Sequence, residues 1–351
     1  MQGTSSRGRS RWEKDVCHCD ILTNMPIQSV IEAVHDAMFE EMQRDSRVFV
    51  MGEDIGKRGG VFLATEGFLE EFGDERVIDT PLAESAIAGV ALGAAIHGRR
   101  PIAEIEFADF IWPSINQLIG EAARARYGSR GALSVPMVVR APYGGGIRGG
   151  LYHSQSVEAY FAHTPGLKVV TPATPYDAKG LLKSAIRDDD PVIFLEHKRT
   201  YRLVRGEVPE EEYLLPIGVA DVKREGADVT CVTYGLMVHH CLEAAETVAQ
   251  EGISVEVVDL RTVRPLDTET ILDSVRKTAR ALVVYEDNKV LGVGAEVAAV
   301  IAEDAFDSLD APVTRLAGPD VPAMPFAPTL EEQFMVSPDK IADALRKLAA
   351  Y

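Results

Sequence analysis

Hydrophobic residues follow two patterns that alternate along the chain. Short apolar runs, such as residues 47–51 and 136–142, have the length and composition of buried strands. In contrast, Val30, Val34 and Met38 recur at the spacing of one helix face. Strands that alternate with helices favour a mainly parallel sheet covered on both faces. We therefore predict an α/β fold with doubly wound, mainly parallel sheets.

The pattern is interrupted at two places, and these set the predicted domain limits. Residues 1–25 are polar and show no periodicity, so we expect a disordered extension outside the fold. Residues 206–217 combine proline with a run of glutamates and are interpreted as an interdomain linker. A chain of 351 residues is longer than a single hydrophobic core usually supports. We therefore predict one domain at 26–205 and a second at 218–351.

Composition and charge exclude several classes of partner. The chain has 36 Lys and Arg residues against 54 Asp and Glu residues, a net charge of -18. This charge argues against nucleic acid and suits a basic protein partner. No apolar run is long enough to span a membrane, and the first residues lack the apolar core of a secretory signal. We expect a cytoplasmic protein, or a mitochondrial matrix protein if the source is eukaryotic.

Two short motifs are incomplete. Cys17-His18-Cys19 resembles part of a metal site, but no second ligand pair follows at zinc-site spacing. The four cysteines do not resemble a disulfide framework in a chain of this length, which favours a reducing compartment. Gly292-Val293-Gly294 lacks the third glycine and the ribose-binding acid of a dinucleotide turn, so nicotinamide binding is disfavoured.

Residues 79–85 carry the most unusual residue of the first domain. They join a short strand to a helix predicted from Glu84 to His97, whose small apolar side chains are expected to be buried. The helix dipole favours a carboxylate at this position, but desolvation opposes it unless a hydrogen bond is offered. Glu84 is therefore either a helix-terminal acid satisfied by its own backbone or a functional acid held for a ligand. Position alone leaves both open.

His153 follows a glycine-dense loop at the carboxyl end of a predicted strand. A loop histidine taken alone is more often a hydrogen-bonded structural residue. The strand-end location and a proton that is tunable near neutral pH make His153 the best acid/base candidate in the chain.

Six ordered stretches carry a resemblance to a known family. They are Met51-Gly52-Glu53-Asp54, Asp79-Thr80-Pro81-Leu82-Ala83-Glu84, Glu106-Phe107-Ala108-Asp109-Phe110, Tyr152-His153-Ser154-Gln155, and the segments 165–170 and 259–267. Together they resemble the β subunit of the E1 component of 2-oxo acid dehydrogenase complexes, a thiamine diphosphate enzyme of the transketolase-like kind. The resemblance implies a pyrimidine-binding thiamine diphosphate domain followed by a transketolase C-terminal-like domain.

The resemblance also implies roles around the cofactor. Glu84 matches the glutamate that hydrogen-bonds the aminopyrimidine ring nitrogen and promotes its imino tautomer. Leu82 and Phe110 match residues that contact the cofactor, and relatives often have Tyr in place of Phe110. Glu53 matches an acid thought to carry protons between paired active sites. Glu106 stands where many relatives have Gln, which adds a second acid beside the cofactor.

His153 matches the histidine that helps transfer the acyl group to the lipoyl arm. The chain lacks the Gly-Asp-Gly motif and paired asparagines with which family members hold magnesium and the diphosphate. The resemblance therefore implies that an α subunit holds the Mg²⁺, in an α2β2 heterotetramer. The acidic surface would suit the basic subunit-binding domain of a lipoyl-bearing E2 acyltransferase. Some relatives also hold K⁺, and the matching positions here are Val138, Ala185, Asp188 and Asp190.

The prediction of the substrate rests on similarity alone. Residues 59–62, 107–110 and 151–155 look more like branched-chain 2-oxo acid enzymes than like those for pyruvate or acetoin. Pyruvate remains the alternative substrate, because a pocket distinguishes a few methylenes by only about 1–3 kcal/mol. An alternative of another class is a non-catalytic assembly subunit, although the presence of Glu84 and His153 speaks against it.

Overall fold

The computed structural model describes residues 25–351. Cys17-His18-Cys19 and all but the last residue of the extension predicted at 1–25 lie outside the described residues. Among residues 25–351, none of the helices combines the length and the apolar character that a membrane crossing would need.

Strands and helices alternate along the described residues. The strands are β1 (Ile27–Ser29), β2 (Val48–Gly52), β3 (Val77–Asp79), β4 (Arg100–Glu104), β5 (Val138–Tyr143), β6 (Lys168–Val170), β7 (Val192–His197), β8 (Arg205–Glu207), β9 (Asp221–Arg224), β10 (Val229–Thr233), β11 (Val255–Asp259), β12 (Thr262–Arg264), β13 (Ala281–Asn288) and β14 (Thr314–Gly318). The α-helices are α1 (Val30–Arg44), α2 (Phe68–Phe72), α3 (Glu84–Ile96), α4 (Ala123–Gly128), α5 (Glu158–Ala162), α6 (Pro175–Arg187), α7 (Thr200–Leu203), α8 (Leu236–Ala249), α9 (Thr268–Thr278), α10 (Val293–Asp304), α11 (Pro328–Phe334) and α12 (Pro338–Ala349). Short 3-10 helices cover Ala108–Phe110, Trp112–Ser114, Gly150–Tyr152 and Phe306–Ser308, and a π-helix covers Asn116–Ala122.

The first domain is built on a sheet with the strand order β12-β6-β7-β5-β4-β2-β3. All neighbouring strands in it are parallel except β12 and β6. Strands β5 and β7 are buried at every position, as expected of a parallel sheet covered on both faces. Helix α1 begins at Val30 because Ser29 and Glu32 cap it reciprocally, with the Ser29 N–H donating to Glu32 Oε2 at 2.6 Å.

The second domain repeats this architecture with the strand order β14-β13-β10-β11-β9. Its strands are parallel except for the edge pair β9 and β11. Both halves are thus mainly parallel α/β sheets, which confirms the predicted fold class.

The two domains are joined by main-chain pairing and by charge. Strand β12 leaves the second domain and pairs antiparallel with β6 of the first, with Thr262 opposite Val170. Asp177 on α6 forms ion pairs with Lys223 at 2.7 Å and with Arg261 at 2.6 Å. One apolar cluster contains buried residues of both domains, including Phe49 and Val232. The second domain therefore completes the sheet and the core of the first.

The segment predicted as a linker begins inside a strand. Arg205–Glu207 forms β8, which pairs antiparallel with β1, so residues 206 and 207 belong to a surface ribbon of the first domain. The charged side chains of this strand lie on the surface, which explains why its polarity resembled that of a linker.

A buried arginine ties the central strands together. The Arg140 side chain on β5 is 1% exposed and donates to Glu104 of β4 at 2.5 Å and to Glu196 of β7 at 2.6 Å. Tyr201 also donates to Glu196, at 2.5 Å. Removing one partner of such a buried group costs about 3–5 kcal/mol, because the remaining charge is left uncompensated. These contacts tie β4, β5 and β7 together.

Candidate active site

The residues predicted for cofactor binding meet at one edge of the first sheet. Glu53 directly follows β2, Glu84 follows β3 after a short turn, and Glu106 follows β4 by two residues. Because parallel strands place their carboxyl ends at the same edge, these carboxylates gather there. His153 reaches this edge through the long loop that follows β5.

Glu84 is the first residue of α3 and is half-buried. Its carbonyl oxygen accepts a hydrogen bond from the Ser114 hydroxyl at 2.7 Å. Its carboxylate makes no hydrogen bond to any described residue, and no side chain caps the start of α3. The interpretation of an acid satisfied by its own helix therefore finds no hydrogen bond to support it.

Helix α3 is not buried all round, so the expectation of a fully buried helix was wrong. Ile87 and Ala91 face the core, whereas Val90 is 56% exposed and Ile96 is 37% exposed. The apolar composition that predicted burial in the core also suits a surface that another chain covers.

The carboxylates at this edge interact with one another. Burial and, next, the neighbouring Glu84 carboxylate raise the pKa of Glu53. Burial, followed by the nearby Glu104, raises the pKa of Glu106 to about 7, although the Val61 N–H donates to Glu106 Oε1 at 3.3 Å and opposes this shift. A carboxyl group with a pKa near 7 can hold or release a proton at neutral pH.

His153 is exposed and lies against two aromatic rings. Its ring centroid is 5.4 Å from that of Phe107 and 5.5 Å from that of Phe110, the second contact being edge-on. The imidazole makes no hydrogen bond to any residue between 25 and 351, so the alternative of a hydrogen-bonded structural histidine is not supported. Leu82 is 75% exposed and Phe110 is half-buried, which leaves both side chains able to contact a ligand.

The positions matched to a potassium site lie around the turn after α6. Ala185 is in the last turn of α6, Asp188 and Asp190 follow it, and Val138 opens the adjacent β5. Lys168 Nζ lies 2.5 Å from Asp188 Oδ2, and Arg126 forms an ion pair with Asp190. These carboxylates are therefore already neutralised by basic side chains, and the potassium site stays a prediction.

The residues that hold the loop carrying His153 were not predicted from the sequence. Asp109 is buried and its Oδ1 accepts the N–H groups of Ser154 and Gln155 at 3.1 and 3.0 Å. The one available signal was an acid inside the apolar run 107–112. Lys198 lies behind Asp109, with Nζ 4.0 Å from Asp109 Oδ2, and burial lowers the pKa of Lys198 to about 8.

Comparisons with known proteins define the class of fold. Residues 28–204 match the family described as transketolase, pyrimidine binding domain, and residues 218–341 match transketolase, C-terminal domain. A solved structure titled "Split gene transketolase, inactive beta4 tetramer" is similar with a TM-score of 0.72 and 24% identity, covering 92% of this chain and 98% of that one. At that identity it shows the fold alone. The chain thus consists of two transketolase-like domains.

Curated relatives define the family more narrowly. The chain is 63% identical to the 2-oxoisovalerate dehydrogenase subunit beta of Bacillus subtilis (strain 168), over 93% of this chain and all of that one. It is 50% identical to the pyruvate dehydrogenase E1 component subunit beta of the same organism, with the same coverage. This chain belongs to the β subunits of the E1 component of 2-oxo acid dehydrogenases, as the resemblance predicted.

Membership of this oxidoreductase family implies thiamine diphosphate as cofactor and an α subunit as partner. The two relatives are bacterial, so the alternative of a mitochondrial matrix protein is not borne out.

The raised pKa of Glu106 predicts a pH-dependent stability. The carboxyl group ionises near the ordinary glutamate value of 4.5 in the unfolded chain, whereas its pKa is about 7 in the folded one. The wild type therefore loses stability as pH rises through this window. Glu106→Gln removes this loss, so the free energy of unfolding of the variant should increase relative to that of wild type as pH rises from 5 to 8. Because Glu106 is partly exposed, screening limits this increase to about 1–2 kcal/mol. Urea unfolding at several pH values measures it.

The control is Glu70→Gln, at an exposed position of α2. A Glu106→Gln difference that stays constant from pH 5 to 8 would contradict the raised pKa.

Proposed function

We propose that this chain forms, with an α subunit, an E1 enzyme that decarboxylates branched-chain 2-oxo acids and reductively acylates the lipoyl group of an E2 acyltransferase. The position of Glu84 is the main support for this function. Its carboxylate opens α3 beside Glu53, at the carboxyl edge of the central sheet, and has no hydrogen-bond partner among the described residues.

The chemistry of this edge fits the pyrimidine end of thiamine diphosphate. Glu84 offers a charged acceptor, Leu82 an exposed apolar surface, and Phe110 a half-buried ring. When bound, the cofactor supplies the nucleophilic carbon and the electron sink for loss of carbon dioxide.

The residues of this chain act on protons at defined atoms. Glu84 accepts the hydrogen bond of the aminopyrimidine ring nitrogen, a charge-assisted contact that contributes about 1.5–3 kcal/mol. Glu53, whose pKa burial and Glu84 raise, is placed to take protons from Glu84. Glu106, with a pKa of about 7, can donate a hydrogen bond when protonated, as a glutamine at this position would.

The diphosphate and magnesium are assigned to the α subunit. No group of three or more His, Cys, Asp or Glu side chains within residues 25–351 is arranged to hold a metal ion. Helix α3, which begins at Glu84, exposes the apolar side chains of Val90 and Ile96 further along its length. An apolar surface beside a half-built site suits a partner chain that contributes the other half. We therefore propose an α2β2 heterotetramer.

Transfer to the lipoyl arm is assigned to His153. The histidine is exposed, so a long flexible arm can reach it. The net charge of -18 suits docking of a basic subunit-binding domain of E2, through the second domain of this chain. Because the relatives named above are bacterial, we propose the cytoplasm as the location.

Branched-chain 2-oxo acids are favoured over pyruvate. The identity of 63% to a 2-oxoisovalerate dehydrogenase subunit against 50% to a pyruvate dehydrogenase subunit supports this choice. Part of the substrate pocket lies on the α subunit, and pyruvate or acetoin remains the alternative. The carboxylates that gather at the carboxyl edge of the first sheet argue against a non-catalytic assembly subunit.

Glu84→Gln tests the role in cofactor activation. The reconstituted complex should lose thiamine-dependent decarboxylation by about a hundredfold or more, because the amide cannot provide the charged acceptor. Carbon dioxide release measures activity, and size-exclusion chromatography with light scattering checks that the heterotetramer is intact. Glu75→Gln, at an exposed position before β3, is the matched control. Undiminished decarboxylation would refute the role.

Substrate preference is tested on the same complex. The ratio of kcat/KM for 3-methyl-2-oxobutanoate to that for pyruvate should be about tenfold or more, as expected from extra methyl groups in an apolar pocket. Steady-state assays with both substrates measure this ratio. A preference for pyruvate would replace the branched-chain assignment with the alternative.

A further inference from the structure

The loop that carries His153 is held by buried carboxylates from three different elements. Asp109 Oδ1 accepts the N–H groups of Ser154 and Gln155. Glu286 Oε1, from β13, accepts the Gly145 N–H at 2.7 Å. Each of these contacts joins a side chain to the main chain of the segment 144–156, which we name the histidine loop. Its path thus depends on acceptors that lie outside it.

The third carboxylate, Glu331, binds the first half of the histidine loop. Its Oε1 accepts the Gly146 N–H at 3.1 Å and the Arg148 N–H at 2.9 Å. Glu331 lies on α11 of the second domain, some 180 residues further along the chain. It is only 6% exposed, and a carboxylate is seldom buried unless hydrogen bonds compensate its desolvation. The main-chain donors of the histidine loop supply that compensation.

Close packing supports the same contact. A side chain at Gly145 would come within 2.4 Å of Met324 Cε, and one at Gly150 within 3.0 Å of the Phe326 ring. The glycines of the histidine loop therefore allow the segment 324–331 of the second domain to lie directly against its main chain. Any displacement of α11 would be transmitted to the loop.

Among the three carboxylates, Glu331 is the one whose effect can be isolated. Glu286 also pairs with His197 Nε2 at 2.9 Å, and Asp109 faces Lys198. Within residues 25–351, the side chain of Glu331 forms hydrogen bonds only with the main chain of the histidine loop. Its removal should therefore affect the loop with little effect on the core.

We propose that Glu331 is a positioning residue that sets the place of His153 for acyl transfer to the lipoyl group. This rests on the proposed function. In that transfer the electron pair retained after loss of carbon dioxide would reduce the lipoyl disulfide, whose S–S bond breaks. One sulfur would bond the acyl carbon, the bond from that carbon to the cofactor would break with its electron pair left on the cofactor, and the other sulfur would take a proton. A displacement of about 1 Å in a group that assists such a step can slow it by about a hundredfold.

The test uses the reconstituted heterotetramer with Glu331→Ala, Glu331→Gln and, as a control, Glu332→Ala at the exposed neighbouring position. Two activities are measured: decarboxylation with an artificial dye acceptor, and reductive acylation of a free lipoyl domain. Glu331→Ala should lower kcat for lipoyl acylation by about tenfold or more and leave dye-coupled decarboxylation within about twofold. Glu331→Gln keeps an acceptor oxygen and should recover most of the loss.

Hydrogen exchange of the histidine loop gives a readout independent of activity. The amides of Gly146 and Arg148 should exchange faster in Glu331→Ala than in wild type, since their acceptor is gone. Unchanged exchange, or equal loss of both activities, would overturn the positioning role. If Glu331→Ala fails to assemble, the same two readouts on Glu331→Gln decide, with a partial loss confined to acylation expected. A wild-type complex that decarboxylates no 2-oxo acid would instead refute the proposed function.

Discussion

The ion-pair cluster around Arg140 is the interaction on which the first domain depends. Its guanidinium is buried between Glu104 and Glu196, so three neighbouring strands are tied together just below their carboxyl ends. A buried arginine without these partners would be strongly destabilising. The cluster also has an electrostatic consequence for the site. Glu104 adds to the burial that raises the pKa of Glu106, two residues further along, so the core and the cofactor edge are electrostatically linked.

Above this cluster lie the residues to which we assign the pyrimidine end of the cofactor. The carboxylates of Glu53, Glu84 and Glu106 gather at one sheet edge, where burial, reinforced by neighbouring carboxylates, raises the pKa values of Glu53 and Glu106. Beside them, α3 presents an apolar face to the surface. In contrast, the second domain supplies structural support: it adds β12 to the first sheet and lays α11 against the histidine loop.

The sequence predicted much of this arrangement because local rules govern it. Apolar runs such as β5 and β7 indicate buried parallel strands, and parallel strands bring residues such as Glu84 and Glu106 to one edge. Composition could not distinguish a helix face buried in the core from one exposed for a partner, so α3 was expected to be buried. The polarity of β8 likewise resembled a linker. Glu286 and Glu331 act across about 140 to 180 residues, and no local pattern marks such contacts.

If the partner holds the metal and the diphosphate, this chain binds only the pyrimidine end of the cofactor. Isothermal titration calorimetry of thiamine diphosphate with Mg²⁺ tests it directly, first with this chain alone and then with the α subunit added. Tight, Mg²⁺-dependent binding is predicted only for the mixture, because the metal and diphosphate are assigned to the partner. Tight Mg²⁺-dependent binding to this chain alone would show that the metal and diphosphate end of the site lies on this chain.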